Sequence, residues 1–578
     1  MSLTAAILAG RTGLTASQVG IQVAGHNMAN VSTPGYARQI AHLRSLPGAR
    51  SDLFQIGRGV GVLDVRRQVD TALQARLRAA YSDEAASGER ANVLAQLENV
   101  LNELTDADLS SRLNDFFTTW SEAANLLSSN AVVVEESDRL AQYIRSMRSD
   151  LTRLREEVER RIDATATDLN GLLDRVARLN AEIAAAEGGG AQANGLRDQR
   201  DTLLAELSAY ADIDVVEAGS DGMVDVLVGS TPVVLGGVNR GVEIRRESID
   251  GTLTTTVVVA ADGEPLPVTG GTLGGLLSTR DGAIDQTIDR LDAVAARLIF
   301  NANRIHSTGS NGQGMSSARG TLQITLPNRT RALNDPANST LAALPYAAEN
   351  GGFLVNVRNT ATGALEQVRI DVDLDGRTNT GAPGFADDTS AEDIRAAIDA
   401  IDGLSARFTS DGRLEITAEE GVQFSFEDDT SGVLAVLGVN ALFSGSSARD
   451  IAVRPDLLED PGRLALGRTV NGELVENGTA LALADLQNVA DAALGGRTIS
   501  KAWSDAAQSV GVRSASARAQ LQSDAVVREG LEAQHAAVSG VSIDEESINL
   551  LSFQRQFQAS SRVIQVADEL LNTLIGLL

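Results

Sequence analysis

NMANVSTPGYARQ, residues 27–39, joins an apolar-periodic segment to an alternating one through Thr33, Pro34 and Gly35. Upstream, Leu3, Ile7, Leu14, Ile21 and Met28 recur at four and then seven residues, one helical stripe of heptad type. Gly10, Gly13, Gly20 and Gly25 interrupt it. Each costs about 1 kcal/mol relative to Ala in a helix interior. The segment is therefore expected to be a marginal helix that needs a partner. Asn30 reads as its end, and Pro34-Gly35 as the corner that turns the chain outward.

The other end of the chain carries a matching stripe. Leu550, Phe553, Phe557, Ile564, Leu571, Leu574 and Leu578 are spaced three, four, seven, seven, three and four, with Arg555, Arg562, Asp568 and Glu569 on the polar face. Two readings stand: terminal helices docking separately on a core, or coiled-coil-like helices that pair with each other or across subunits.

Between the ends the pattern is nested. Residues 36–66 read as short strands and turns, and helices are expected at 68–104, 108–128, 137–187 and 196–210. The third would run about 75 Å at ~1.5 Å per residue and stop at Gly188-Gly189-Gly190. A β-rich stretch at 212–270 turns at Asp221-Gly222 and Asp262-Gly263, and a helix at 273–307 places Leu277, Ile284, Leu291, Leu298 and Ile305 at strict sevens. In 320–460 the strand QVRIDVDLDG precedes a helix opened by the capping box Thr389-x-x-Glu392, and a hairpin turns at Asp411-Gly412. Helices return at 480–492 and 498–538. The expected fold is multidomain, mainly α with β modules. Terminal coiled-coil helices (1–35 and 541–578) pair at one end. A helical-bundle rod follows (36–211, 272–310 and 480–540), then a β-rich insert (212–271) and a variable α+β outer domain (320–460).

Composition narrows the function. With 578 residues and 43% hydrophobic content the chain can build several cores. A net charge of −28 argues against general nucleic-acid binding, which needs a clustered basic surface. The charge is uneven: within residues 1–80 nine Arg face three acids, a net +6 that leaves −34 for the rest. That basic end suits an acidic partner surface. Cysteine is absent, which excludes disulfides and thiolate chemistry, and no run of 18 apolar residues predicts a membrane span. The opening MSLTAAILAGRTG lacks the basic region of a secretory signal, so export, if it occurs, is expected through a specialised machine without cleavage.

Catalytic patterns are missing. Lys501, the only lysine, has no glycine-rich phosphate loop beside it, and His26, His42, His306 and His535 never fall at helical spacing for zinc. No G-x-S-x-G elbow marks a nucleophile. The acid pairs Glu156-Glu157, Glu545-Glu546 and Asp428-Asp429 read as solvated faces. One motif has sharper chemistry. Asp371, Asp373 and Asp375 before Gly376 resemble the opening of a calcium loop. The twelfth position is Ala382 instead of Glu, and a strand stands where a helix should precede, so a strand-end turn is the expected reading and a weak Ca²⁺ site the alternative.

Asn27, Asn30, Thr33, Pro34, Gly35, Tyr36 and Arg38 match the N-terminal signature of the bacterial flagellar axial proteins. The C-terminal SGVSIDEESINLLSFQRQFQASSRVIQ (539–565), with LRDQRDTLLAEL (196–207) and the stretch 271–295, is similar to the hook-associated protein 1 family of that group, the hook–filament junction proteins. The resemblance covers most of 1–310 and 480–578 and is weakest in 320–460. It implies a structural adaptor of the extracellular flagellum: no enzyme, no cofactor, no metal. The implied partners are its own subunits in a ring, the hook protein, a second junction protein, and a cytoplasmic export chaperone on the C-terminal helix. Neither nucleic acid nor membrane is implied. The expected assembly interface is Leu3, Ile7, Leu14, Ile21, Met28, Asn30, Pro34, Gly35, Tyr36, Leu550, Phe553, Phe557, Ile564, Leu571 and Leu574. The terminal helices are expected to order only when neighbours bury them. The competing readings are another axial protein, such as a hook protein, and a secreted Ca²⁺-binding or enzymatic protein using 320–460.

Overall fold

The computed structural model describes residues 3–47, 57–102, 108–127, 129–219, 221–249, 252–312, 314–471 and 473–576. Leu578, the last position of the C-terminal stripe, lies outside them. The chain divides into two compact units, one of Met1–Val93, Val158–Thr279 and Ala515–Leu578, the other of Leu94–Glu157 and Arg280–Ser514. The helices Thr71–Leu101, Asn130–Glu187 and Ile499–Ser539 each contribute residues to both.

Asn130–Glu187 is a single helix of 58 residues, about 87 Å at ~1.5 Å per residue. Its stripe from Leu140 through Ile144, Leu151, Val158, Ile162 and Val176 to Ile183 is buried. The helix stops where expected because Glu187 turns back: its carboxylate accepts from the Ala193 N–H at 2.9 Å and from Arg197 Nε and Nη2 at 2.7 Å each. Gly190, at φ +86°, closes the turn.

In the first unit the N-terminal helix Leu3–Ala29 is followed by an antiparallel hairpin, Gln39–Leu46 with Gly59–Arg67. Four consecutive short strands, Ile213–Glu217, Val224–Val228, Thr231–Leu235 and Val238–Asn239, form an antiparallel sheet in chain order. Asn180 of the long helix holds that sheet: its Nδ2 donates to the Val224 and Gly236 carbonyls at 2.7 Å each. A separate hairpin pairs Val242–Ile249 with Thr252–Val259.

In the second unit Leu109–Ala123, capped by Asp108, buries Phe116, Phe117 and Trp120. A three-stranded antiparallel sheet sets Gly351–Asn359 between Leu365–Val372 and Val422–Glu427. The hairpin Leu404–Phe408/Leu414–Ala418 turns through Gly412 at φ +84°, as Asp411-Gly412 predicted.

Three local expectations are corrected. The helix at 273–307 is Gly271–Thr279, a π turn at Arg280–Asp285, and Gln286–His306. The wide turn follows Leu277, includes Ile284, and places Arg280, 2% exposed, on Asp281. The helix at 480–492 is Gly478–Asp485 followed by 3₁₀ turns. The capping box is Ser390 with Asp393, one residue late, because the Thr389 hydroxyl is taken by the Asp373 N–H.

Candidate functional site

The N-terminal helix ends at Ala29, and the Asn30 side chain completes its last turn by donating to the His26 carbonyl at 2.9 Å. Thr33 to Tyr36 then form a turn, the Tyr36 N–H donating to the Thr33 carbonyl at 3.2 Å. Pro34 presets the first central position and Gly35, at φ +75°, takes the second, the arrangement of a type II turn. A Cβ at Gly35 would also lie 2.3 Å from Thr202 Oγ1, so the helix Asn194–Ser208 forms a wall behind the corner. The same helix ties down the hairpin: Asp198 and Asp201 receive Arg67 Nη1 at 2.9 and 2.7 Å, and Asn194 donates to the Val65 carbonyl. Burial pushes the Asp198 carboxyl above its ordinary range despite the Arg67 contact that opposes it.

Inside the corner sits Asn27, 1% exposed, with its hydrogen-bonding capacity filled. Its Oδ1 accepts from the Gln39 N–H at 3.0 Å and the Tyr36 hydroxyl at 2.7 Å. Its Nδ2 donates to the Gln39 carbonyl at 2.9 Å and to Glu546 Oε2 at 3.1 Å. Glu546 belongs to the C-terminal helix Ile543–Gly576 and is 2% exposed. Its other oxygen receives Arg38 Nε at 2.8 Å, while Arg38 Nη1 reaches Glu545 at 2.9 Å. The Arg38 N–H donates to the Ser539 carbonyl, which fixes the junction between the last two helices. Burial, with the charges of Asp198 and Glu546, pushes the Tyr36 hydroxyl up to about 12, so it serves as a neutral donor. His26 Nδ1 lies 2.9 Å from the same hydroxyl.

From this lock the two terminal helices run antiparallel. Asn27 meets Glu546, and an added Cβ on Gly20, Gly13 or Gly10 would lie 2.6 Å from the Phe553 ring, Ser560 Oγ and Ile564 Cγ1 respectively. The numbers fall on one helix as they rise on the other, four contacts in one register. The glycines are thus contact points, and removing their side chains lets the helix axes approach. Ala16, Ser17, Gly20, Ala24 and Asn27 form the buried face of the first helix, whereas Leu3, Ile7, Leu14, Ile21 and Met28 are only half-buried beside it. Within one chain it is therefore the small-residue face, and not the apolar stripe, that meets the C-terminal helix.

Of the other expected interface residues, Leu550, Phe553, Ile564 and Leu571 are half-buried, Phe557 and Leu574 are exposed, Asn30 and Tyr36 are half-buried, and Pro34 and Gly35 are exposed. Phe553 packs on Gly20 of its own chain and stays half-buried. Sequence reasoning missed Glu546, assigned with Glu545 to a solvated face. Glu545 does remain exposed, but Glu546 is three residues into the helix and turned to Arg38. The acids of this motif and the basic residue of the opening motif were both visible; their distance along the chain hid the pairing.

The C-terminal helix keeps a second apolar face exposed: Ile548, Leu551, Val563, Val566, Leu570 and Leu574. No helix among the described residues is long and apolar enough to cross a membrane. The corner holds no cluster of metal-ligating side chains; among the described residues the one such group is Asp373, Asp375 and Asp388.

Residues 94–321 match the family described as Flagellar hook-associated protein FlgK helical domain, and residues 533–577 match Flagellar basal body rod FlgEFG protein C-terminal. The chain is 25% identical over 581 residues to Flagellar hook-associated protein 1 of Escherichia coli (strain K12), covering 98% of each. It is 26% identical over 583 residues to the protein of that name in Salmonella typhimurium, again 98% of each. The Bacillus subtilis (strain 168) protein is 28% identical over 340 residues, 53% of this chain and 67% of that one. A solved structure of the flagellar hook junction protein FlgK from Burkholderia pseudomallei aligns with 81% of this chain and 100% of its own, at 16% identity and a TM-score of 0.47. The two matched segments, one helical and interior, the other containing Glu545 and Glu546, and the alignments over 98% of the chain agree: along nearly its whole length the chain is similar to the flagellar hook-associated protein 1 family.

Proposed function

We propose that the chain is the structural adaptor between flagellar hook and filament, acting without catalysis. It assembles as a ring of its own subunits, with the paired terminal helices forming the inner tube and the β-containing modules the outer surface. The hook protein contacts one side of the ring and a second junction protein the other. The chain reaches its site by flagellar type III export without cleavage, with a cytoplasmic chaperone on the C-terminal helix. The assembly interface comprises Leu3, Ile7, Leu14, Ile21, Met28 and the corner Asn30–Tyr36, with Leu550, Phe553, Phe557, Ile564, Leu571 and Leu574.

The observation that supports this reading is the second apolar face of the C-terminal helix. Its large aliphatic side chains are about half exposed in the single chain. Full burial of such a side chain is worth ~1.5–3 kcal/mol, so the remaining half offers about 1 kcal/mol each before association costs. A soluble monomer keeps such a face only if a neighbour covers it in its working state. The corner fixes that face relative to the hairpin, so a ring built through it would present the rest of each subunit at one angle.

Electron microscopy of cells lacking the protein tests the role. Hooks without filaments, with flagellin lost to the medium, are expected; normal filaments would contradict it.

A further inference from the structure

The segment between the strand Leu365–Val372 and the helix Ala391–Asp399 is a closed loop. Its ends are stitched together: the Asp373 N–H donates to Thr389 Oγ1 at 2.9 Å, and the Thr389 N–H to the Asp373 carbonyl at 2.7 Å. Inside it, Asp373, Asp375 and Asp388 each bring a carboxylate oxygen within 4.8 Å of the other two. Asp371, which the sequence motif grouped with them, is not a member. It stays on the strand, where Arg369 Nε holds it at 2.8 Å. The third carboxylate comes instead from Asp388, thirteen positions beyond Asp375 and outside any local calcium-loop spacing.

Asp388 supplies the second observation. It is 5% exposed, and its Oδ2 accepts from the Gly376 N–H at 3.1 Å and Asn334 Nδ2 at 2.6 Å. Its Oδ1 is buried and receives no donor at all. The same holds for Asn334 Oδ1 and for Asp387 Oδ1 next door. Among the described residues none of the three clustered carboxylates pairs with an arginine or lysine. A buried carboxylate oxygen left without a donor beside two further carboxylates is satisfied by a cation, which neutralises the charge and occupies the free lone pairs together.

We infer that this loop is a calcium site, with Asp373, Asp375 and Asp388 as charged ligands and Asn334, held on Asp388, adding a neutral oxygen. The ligands are all hard oxygens on an irregular loop, which suits Ca²⁺. Opposite ligands of Ca²⁺ at ~2.3–2.6 Å stand up to about 5 Å apart, whereas octahedral Mg²⁺ spans only about 4.2 Å. The three carboxylate oxygens lie within 4.8 Å of one another, which fits inside the shell of the larger ion, and the irregular, partly exposed loop lacks the rigid octahedral cage that Mg²⁺ demands. With two of three carboxylates exposed, affinity falls in the class of extracellular modules, a Kd of about 10⁻⁴–10⁻³ M.

Equilibrium dialysis of the full chain with radioactive calcium in about 0.15 M salt, which screens diffuse binding to the acidic surface, tests the inference. One ion per chain is expected beyond what the variant Asp375→Asn retains, with affinity at least tenfold lower in that variant and in Asp388→Asn. Asp371→Asn should change it less than twofold, and Mg²⁺ at equal concentration should not displace the ion. Asp375 is exposed, so its variant keeps the fold and decides the matter even if Asp388→Asn does not. Equal binding by wild type and Asp375→Asn, or an equal loss in Asp371→Asn, would overturn the site; displacement by Mg²⁺ would overturn its assignment to calcium.

Discussion

At the scale of single residues, the terminal pairing depends on what is absent as much as on what is present. Gly20 lies under the Phe553 ring, and an added Cβ would sit 2.6 Å from three of its atoms. Helix propensity alone favours Gly20→Ala by ~1 kcal/mol, since alanine restricts the unfolded chain. The packing says the reverse. Hydrogen exchange of the full chain is expected to show roughly tenfold lower protection across the N-terminal helix in that variant. Higher protection would mean the glycine is only a weak point. The glycines were visible in the sequence, but their meaning was not. Hydrophobic periodicity scores large side chains, so it selected Leu14 and Ile21 and passed over the neighbouring small-residue face. Asn27 and Arg38 stood in a recognisable motif; Glu546 was hidden because adjacent acids usually face water.

At the scale of elements, periodicity served well wherever a helix buries an aliphatic stripe, as in Asn130–Glu187. It failed where a side chain reassigns a local hydrogen bond. Thr389 left its expected capping role to hold Asp373, and Asp388, too far along the chain to enter any loop motif, joined the carboxylates. The helix Gln286–His306 ends in another residue whose environment no local pattern specifies. His306 is fully buried, with Nδ1 2.8 Å from the Asn440 carbonyl and Nε2 3.4 Å from the Ala465 N–H. Burial holds its pKa down at about 4, against an ordinary 6.5, although the Asn440 contact opposes this. The unfolded chain therefore takes up the proton first. The stability from neutral His306 is whole above pH 6.5 and is lost as pH falls toward 4, with roughly 2 kcal/mol gone at pH 5. Urea unfolding of wild type and His306→Gln at pH 7 and pH 5 reads this directly. The variant is expected to be less stable at pH 7 yet to lose about 2 kcal/mol less on acidification; equal losses would mean His306 is not held neutral.

At the scale of the whole molecule, the first and last helices meet in one register, closed at the corner by Asn27, Arg38 and Glu546. The sequence contained both stripes and left open whether they pair with each other or with neighbours. A single chain pairs its ends through the small-residue face, leaving the outer face of the C-terminal helix exposed. This arrangement separates two jobs. The corner sets the geometry of the two ends, and in the proposed assembly the exposed stripe would set association. The absence of cysteine makes the pairing directly measurable. A Cβ at Gly13 would lie 3.4 Å from Ser560 Cβ, close to the ~3.5–4.5 Å of a disulfide. The decisive measurement is oxidation of the monomeric double variant Gly13→Cys/Ser560→Cys, with Gly13→Cys/Phe553→Cys as the out-of-register control. Rapid formation of an intramolecular disulfide in the first and not the second is expected. Crosslinks only between chains, or equal crosslinking in both, would contradict the antiparallel lock between the two ends.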